Sequence, residues 1–317
     1  MGSRRWVSME HPLAEVSAMN MPIDDFLTAL YTTVDDWMQE HAPFLLAGKV
    51  GAKPIFSDSE VVTLSIAEHW LGYNDEREFL RFMRHNYLAL FPRLLSQSQF
   101  NRRTRNLCWV INAMRRDIVE SMGWLMDECR LIDGTPIHAR HWRRFGKGHL
   151  MLPEASLGHC AAKKETYYGY RLILLTTTEG IPTDWGLFPA SRDEREGAMD
   201  LLMDYQNLIT LGDKGFLDQE RQQVLAEECG VLLLTPKRVN QKEQNPKAWD
   251  AILNRLRRMI ETTFSQAKET FGLEKPRART LWGMLSRLIA KIAGLTIAAW
   301  SNQNNARPPL QLAEFTF

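Results

Sequence analysis

Residues 255–271 read RLRRMIETTFSQAKETF, and this stretch organises the rest of the chain. Read as a helix, it and the two residues before it carry an apolar stripe made of Leu253, Leu256, Ile260, Phe264, Ala267 and Phe271. At about 100° per residue, a second face collects Asn254, Arg257, Glu261 and Lys268. One acid among bases at the border of a core is typical of a helix that holds a metal-binding carboxylate beside a bound polyanion. An ordinary amphipathic helix with a salt-bridged edge fits this segment equally well.

The composition is that of an ordinary globular protein, but its basic residues are clustered. The chain has 317 residues, of which 44 % are hydrophobic and 24 % charged, and this length corresponds to about two domains. A net charge of +1 does not by itself indicate a nucleic-acid-binding protein. Basic residues are nevertheless clustered, which can make a local footprint for a polyanion. The clusters are Arg102, Arg103 and Arg105; Arg140, Arg143, Arg144 and Lys147; Lys237 and Arg238; and Arg255, Arg257 and Arg258.

Cysteine usage and hydropathy predict a cytoplasmic protein that does not cross a membrane. The four cysteines are scattered and form no CxxC pair, which indicates reduced thiols. No apolar run approaches about 18 residues without a charge, so we expect no membrane span.

Residues 21–129 are predicted to be all-helical. Helical periodicity covers 24–40, a Ser57–Glu60 capping box starts a helix that runs to about 71, another covers 75–87, and 98–129 holds one or two more. Residues 42–56 are predicted as a loop, and residues 1–20 as a disordered extension. The basic cluster at 102–105 fits the phosphate-contacting part of a helix-turn-helix-like module or a solvated helix face.

From residue 130 onward the pattern changes to alternating strands and helices. Strands are predicted at 131–133, 168–178, 181–189, 208–213 and 231–235, the second and third forming a hairpin. Helices are predicted at 193–205, 217–228, 255–271 and 281–302. This order predicts an α/β fold, a mixed sheet with helices packed on it. Two of the short strands end at Asp133 and Asp213, and ligands bind at the carboxyl ends of strands in such sheets.

Three carboxylates therefore converge from separate elements: Asp133, Asp213 and Glu261. Such groups repel one another unless cations lie among them. Oxygen ligands favour Mg²⁺ or Mn²⁺, and two ions about 4 Å apart suit in-line phosphoryl displacement. We predict these three residues as the catalytic metal ligands.

Several motifs resemble those of DDE transposases of bacterial insertion sequences. IDGTP at 132–136 resembles the first-aspartate motif, and GDKGF at 212–216 resembles the second. Arg257, Glu261 and Lys268 fit the last three positions of the Y-2-R-3-E-6-K signature, with Asn254 in place of the tyrosine. The strings FSDSEVVTLSIAE (56–68), YYGYRL (167–172) and ETTFSQAKETFGLE (261–274) resemble more narrowly the insertion sequence 982 family.

The resemblance covers about residues 24–302 and implies a ribonuclease-H-like fold. It implies a helical DNA-end-binding domain at 21–129, a catalytic domain at 130–303 and a tail at 304–317. Two Mg²⁺ or Mn²⁺ ions would be held by Asp133, Asp213 and Glu261. Arg257 and Lys268 would hold phosphates, with Lys214 and Arg258 as further candidates.

The implied reaction nicks the element ends and joins the freed 3′-hydroxyl to target DNA without a covalent protein–DNA intermediate. The implied partners are the terminal inverted repeats, the target DNA and a second copy of the chain. Two other functions stay open: a structure-selective nuclease that cuts but does not join, and a non-catalytic DNA-binding protein derived from a transposase.

Other conspicuous residues have competing interpretations. The cluster of His138, His141, His149, His159 and Cys160 suggests zinc, but its spacing matches no zinc motif. Trp142 and Phe145 among the basic residues of this segment suit DNA contact. We assign the acidic run of Asp193, Glu194 and Glu196 to the charge bias of a helix start. We expect three tryptophans in the core: Trp249, Trp282 and Trp300.

Overall fold

The computed structural model describes residues 21–46, 54–144, 152–160, 163–236 and 247–312. The predicted extension 1–20 and the candidate residues Phe145, Lys147, His149, Lys237 and Arg238 lie outside these ranges. The helices are α1 (Ile23–Leu45), α2 (Asp58–Trp70), α3 (Glu76–Asn86), α4 (Gln97–Ser121), α5 (Glu194–Leu202), α6 (Gln219–Cys229), α7 (Lys247–Glu269) and α8 (Leu281–Asn304). The strands are β1 (Cys129–Arg140), β2 (Ser156–Cys160), β3 (Glu165–Thr177), β4 (Pro182–Pro189), β5 (Ile209–Leu211) and β6 (Leu232–Leu234).

The chain forms two compact units. The helical unit comprises Met1–Met122 and Ala267–Phe317, and the sheet unit comprises Gly123–Gln266. The first boundary lies a few residues before the predicted one at 129/130. The second differs more, because residues 267–303 group with the first helices and not with the predicted catalytic domain.

In the helical unit, α8 is the central core helix and packs against α4 and α2. It is long and apolar enough to cross a membrane by length and composition, but 78 % of its most apolar window is buried inside the protein. This property was not predicted from the sequence, because Arg287 and Lys291 interrupt the apolar run of the helix. In the last turn of α8, Asn302 Nδ2 donates to the Pro309 and Gln311 carbonyls, so the described part of the predicted tail packs back on the unit.

The helix starts follow their capping sequences. The Ser57 hydroxyl accepts the Glu60 backbone N–H at 3.0 Å, and the Glu60 side chain returns to the Ser57 N–H, which confirms the predicted capping box. Ser96 and Gln99 form a second box, which starts α4 as one continuous helix. The predicted loop at 42–56 begins too early, because α1 continues through Pro43 to Leu45.

The sheet unit is built on β1, the strand that holds its two halves together. β1 pairs antiparallel with β3 on one side and parallel with β5 on the other, and β5 pairs parallel with β6. Both β2 and β4 pair antiparallel with β3. The predicted mixed sheet with flanking helices is confirmed, as is the β3–β4 hairpin. A core packs between the sheet and its helices, with Ile132, Ile173, Leu175, Phe216, Leu225 and Val231 fully buried.

One strand prediction is wrong, and one strand was not predicted. β1 does not end at Asp133 but continues to Arg140, because it keeps its antiparallel pairing with β3 beyond the point where β5 stops. β2 was not predicted, since its five residues SLGHC show no apolar alternation.

Candidate active site

Asp133 and Asp213 are brought to the same level of the sheet by the register of two parallel strands. Leu131 pairs with Leu211, and each aspartate follows two positions further along its own chain. Asp133 lies within β1, partly buried, while Asp213 lies just beyond the end of β5. The predicted convergence of the two motifs thus arises from strand pairing, although only one of the aspartates ends a strand.

The GDKGF motif folds into a tight turn that fixes the Asp213 side chain. Asp213 caps the short 3-10 turn Lys214–Phe216, and its carboxylate accepts the Gly215 N–H. A Cβ at position 212 would come within 3.0 Å of the Phe216 ring and 3.2 Å of Ile132. Because Gly212 has no side chain, Phe216 can pack into the core directly after the strand. This packing fixes the turn that carries Asp213.

Glu261 is carried by α7, which is anchored to the β3–β4 turn. The hydroxyl of Thr263, a fully buried residue, donates to the Gly180 carbonyl at 2.8 Å. The predicted apolar stripe of α7 is confirmed, with Leu253, Ile260 and Phe264 buried. This anchoring leaves Glu261 on the exposed side of the helix, with 48 % of its side chain accessible.

Arg257 joins the second and third predicted carboxylates. Its Nη2 lies 3.1 Å from Glu261 Oε1 and 3.6 Å from Asp213 Oδ2. A single guanidinium thus lies between two carboxylates that come from different elements. Glu261 and Asp213 are thus linked through a cation that belongs to the protein.

Glu194, which the sequence analysis assigned to helix-start bias, is a fourth carboxylate at this place. Its Oε1 fills the space where a Cβ at Gly134 would be, and its Oε2 lies 3.7 Å from the Cβ position of Gly215. It therefore sits between the two aspartate motifs, and Gly134 is the residue that makes room for it. Its nearest cation is Arg171, with Nη1 at 3.8 Å from Oε2. In the sequence, this close approach of Glu194 was indicated only by a glycine shortly after each aspartate, Gly134 and Gly215.

The helix-start interpretation holds for the neighbours of Glu194. Asp193 caps α5 by accepting the Arg195 N–H at 2.9 Å. Glu196 pairs with Arg192 and Arg221 on the outer surface.

Burial and mutual repulsion disfavour ionisation of the inner carboxylates. Burial raises the pKa of Asp133 to about 7; the hydrogen bond from the Gly134 N–H opposes this, the charges of Glu194 and Asp213 add to it, and Arg257 again opposes it. Burial also raises the pKa of Glu194, with Arg171 lowering it and Asp213 and Asp193 raising it further. The site is thus short of positive charge.

The chemistry of these side chains suits a hard divalent cation, but the side chains are not gathered into a metal site. Within the described residues, no group of three or more His, Cys, Asp and Glu side chains is drawn together closely enough to hold a metal ion. Arg257 instead stands in for a cation between Asp213 and Glu261. Four carboxylates without a histidine are the oxygen ligands that Mg²⁺ and Mn²⁺ prefer.

The predicted phosphate-binding residues differ in their surroundings. Lys214 is exposed directly after Asp213, and Arg258 is exposed on α7 next to Arg257. Lys268 lies in the helical unit, where its Nζ is 3.0 Å from Glu274 Oε1. Its cation is therefore engaged by a neighbouring carboxylate.

The described histidines offer no zinc site. His138 Nε2 lies 3.3 Å from Glu165 Oε1, and the His141 ring stacks on Trp142, which also lies under Arg143. His149 is outside the described residues. The zinc alternative therefore finds no support in the part of the chain that the structure describes.

Comparison with known families adds an independent finding. A family model described as Transposase DDE domain matches residues 110–281, more than half of the chain. The chain belongs to this transposase family. No curated protein and no solved structure matches it. The match includes both aspartate motifs, Glu194, Arg257 and Glu261.

Proposed function

We propose that this DDE transposase nicks the ends of an insertion sequence and joins the freed 3′ ends to target DNA by two-metal-ion phosphoryl transfer. The observation that carries the proposal is that Arg257 bridges Asp213 and Glu261, while the charges of Asp213 and Arg257 both act on buried Asp133. Separate carboxylates gathered at one place favour a site built to receive divalent cations.

In this mechanism all four carboxylates contribute to cation binding. Asp133 and Asp213 are fixed by the sheet and by the turn at 213–216, and Glu261 approaches from α7. Bound Mg²⁺ or Mn²⁺ ions would supply a deprotonated water or 3′-hydroxyl and stabilise the leaving 3′ oxygen. Glu194 adds negative charge beside Asp133 and acts as a further ligand or as an acceptor for a metal-bound water.

Arg257 has a second role once cations occupy the site. Its guanidinium would leave the carboxylates and pair with a phosphate of the substrate, because arginine binds phosphate through charge-assisted hydrogen bonds. Lys214 and Arg258, which are exposed, would hold neighbouring phosphates, while Lys268 would first have to release Glu274.

The strand arrangement supports a ribonuclease-H-like fold for the sheet unit. Three antiparallel strands, β4, β3 and β1, are followed by two parallel ones, β5 and β6. We further propose that the chain belongs to the insertion sequence 982 type, acts as a homodimer on DNA ends and works in the bacterial cytoplasm. The helical unit would bind the terminal inverted repeats.

The test is a nicking assay on DNA that carries the sequences flanking the gene. Asp133→Asn should lower Mg²⁺-dependent nicking by about a thousandfold, because a ligand to the ions is lost. Asp204→Asn, the same change at an exposed site of the sheet unit, should leave the rate unchanged. Nicking by Asp133→Asn at the wild-type rate would refute the assignment.

A strand-transfer assay with pre-cleaved ends separates the proposal from its rivals. Joined product is expected of the transposase. Cutting without joining would indicate a structure-selective nuclease, and metal-independent binding without cleavage would indicate a DNA-binding protein that has lost its activity.

A further inference from the structure

A polar cleft in the helical unit is lined by an excess of arginine. Its volume is about 470 Å³, and five arginines line it: Arg77, Arg105, Arg277, Arg279 and Arg287. The acidic residues of its wall are Asp75 and Glu76. We call this feature the arginine cleft. All of its lining residues belong to the helical unit.

Both acids of the arginine cleft are already committed to the fold. Asp75 caps α3 by accepting the backbone N–H groups of Arg77 and Glu78, which hold its pKa below the usual range. Buried Glu76 accepts hydrogen bonds from Gln97 and Asn101, each at 2.7 Å, and pairs with Arg287 at 2.9 Å. Neither acid neutralises the remaining arginines at close range.

The other four arginines form no salt bridge with a carboxylate among the described residues, although the charge of Arg77 acts on nearby Asp75. Arg77, Arg277 and Arg279 are exposed, and Arg105 is half-buried with its Nε 3.4 Å from the Asn101 carbonyl. Arg277 adopts a left-handed backbone conformation, with φ of 52°. Arg287 stabilises this turn by donating to the Pro276 carbonyl at 2.7 Å and to the Arg277 carbonyl at 3.3 Å. The half-buried Arg287 thus fixes the backbone that carries the exposed Arg277 at the cleft.

The start of α8 adds to the positive potential of the arginine cleft. Thr280, which caps the helix, and Gly283, in its first turn, both line the cleft. The first turn of a helix carries a partial positive charge that favours anions. The helix start and the arginines therefore select the same kind of ligand.

An exposed tryptophan lies at the edge of the arginine cleft. Trp282 is 51 % exposed, and its indole N–H donates to the Arg105 carbonyl at 2.8 Å. The predicted core position is therefore wrong for Trp282, and also for Trp249, which is 36 % exposed, but it is confirmed for Trp300. Arginines that contact phosphates beside an aromatic face on which a base stacks are the combination used to hold a DNA strand.

We propose that the arginine cleft binds the phosphates of a DNA strand, with Trp282 stacked on one of its unpaired bases. The inference rests on the proposed function for the identity of the polyanion as DNA. It assigns to α3, α4 and the start of α8 a contact that neither the aspartate motifs nor the signature on α7 provides.

The experiment measures binding of a fluorescent single-stranded oligonucleotide and of a duplex by anisotropy, with EDTA present so that no cleavage occurs. In Arg277→Ala/Arg279→Ala, affinity for both probes should fall about tenfold at low salt. The salt dependence for the single strand should become shallower by about 0.7 for each phosphate that the variant no longer binds. Arg116→Ala, an exposed arginine on α4 that does not line the cleft, should match the wild type.

Trp282 is tested separately, because its contact is with a base. Trp282→Ala should weaken binding of the single strand at least about fivefold and leave duplex binding unchanged, while Trp282→Phe retains most of the affinity. Circular dichroism and thermal unfolding establish that each variant is folded. An arginine double variant with wild-type affinity and salt dependence overturns the proposal, and unchanged single-strand binding in Trp282→Ala overturns the stacking interaction.

Two further arms separate this proposal from others. If inorganic pyrophosphate binding is lost in the double variant while DNA binding is kept, the cleft serves a free anion and the proposal fails. If the double variant loses DNA binding but the wild type never nicks DNA, the proposed function fails and the cleft assignment stands. If instead the wild type nicks DNA and the double variant binds DNA normally, the proposed function stands and the cleft assignment fails.

Discussion

The carboxylate site of the sheet unit and the arginine cleft of the helical unit are opposite in charge but similar in construction. The carboxylate site gathers Asp133, Glu194, Asp213 and Glu261 around two cations, Arg171 and Arg257. The arginine cleft gathers five arginines around two acids. Each region keeps a minority of countercharge, which holds the fold together but leaves most of the like charges uncompensated.

This difference explains why a net charge of +1 is uninformative for this chain. The local surplus of carboxylates at one site and of arginines at the other does not show in the total. Locally, the first favours divalent cations and the second favours phosphates. The proposed function needs both sites, and each can be tested separately by removing charge from it.

The largest effect is expected from neutralising Glu261. Glu261→Gln keeps the side-chain shape but removes the charge that pairs with Arg257, and in the proposed mechanism it also removes a metal ligand. Mg²⁺-dependent nicking should fall about a thousandfold. Glu220→Gln, at an exposed glutamate of the sheet unit, serves as the control. Equal rates for both variants would show that α7 brings no essential carboxylate to the site.

A smaller effect is expected from Glu194, the carboxylate that lies between the two aspartate motifs. Glu194→Gln should weaken Mn²⁺ binding about tenfold, as measured by paramagnetic titration of the DNA-free protein, because one negative charge leaves the site. Glu196→Gln, two residues further on, changes a residue that pairs with surface arginines and should bind Mn²⁺ as the wild type does. If both variants bind alike, Glu194 belongs to the structural charges of α5.

The raised pKa of Asp133 predicts a pH dependence of metal binding. Its folded pKa of about 7 lies above the unfolded value, so the carboxyl is protonated below that pH and must lose a proton to bind a cation. Apparent Mn²⁺ affinity should fall up to about tenfold per pH unit below pH 7 and level off above it. Isothermal titration in two buffers of different ionisation enthalpy measures the released proton. A flat profile from about pH 5.5 to pH 8 would contradict the raised pKa.

The same shift predicts a contribution to stability with a defined sign. Because the folded state holds the Asp133 proton more tightly than the unfolded state, this residue contributes stability at low pH that is lost as the pH rises through about 7. Added Mn²⁺ should restore the melting temperature at higher pH, and Asp133→Asn should remove this part of the pH dependence.

Periodicity and short motifs predicted much of the fold, and the reasons for success and failure are local. The apolar stripe of α7 and the capping box at Ser57 depend on residues that are close in sequence, so both were predicted correctly. The full length of β1 was missed, because Asp133 and Gly134 read as a strand end while distant β3 sustains the pairing.

The arrangement of the charged side chains was harder to foresee than the elements that carry them. The role of Gly134 as the space for Glu194 depends on two residues 60 positions apart, and no spacing rule connects them. The ion pair that engages Lys268 and the exposure of Trp282 likewise depend on segments that fold back on one another. Sequence patterns place a residue on an element, but only packing decides which other charges surround it.

The smallest effect is expected from removing an acid of the arginine cleft. Asp75→Asn keeps a good helix cap, because asparagine caps as well as aspartate. It removes one negative charge from the wall of the arginine cleft. DNA affinity should therefore rise about twofold at low salt and the gain should vanish at high salt, since the charge is exposed and screened. Anisotropy against Asp117→Asn, at an acid of α4 that does not line the cleft, measures the difference. A gain in affinity from removing a surface acid at this one place is hard to explain unless the cleft holds a polyanion, and a loss would mean that DNA binds elsewhere.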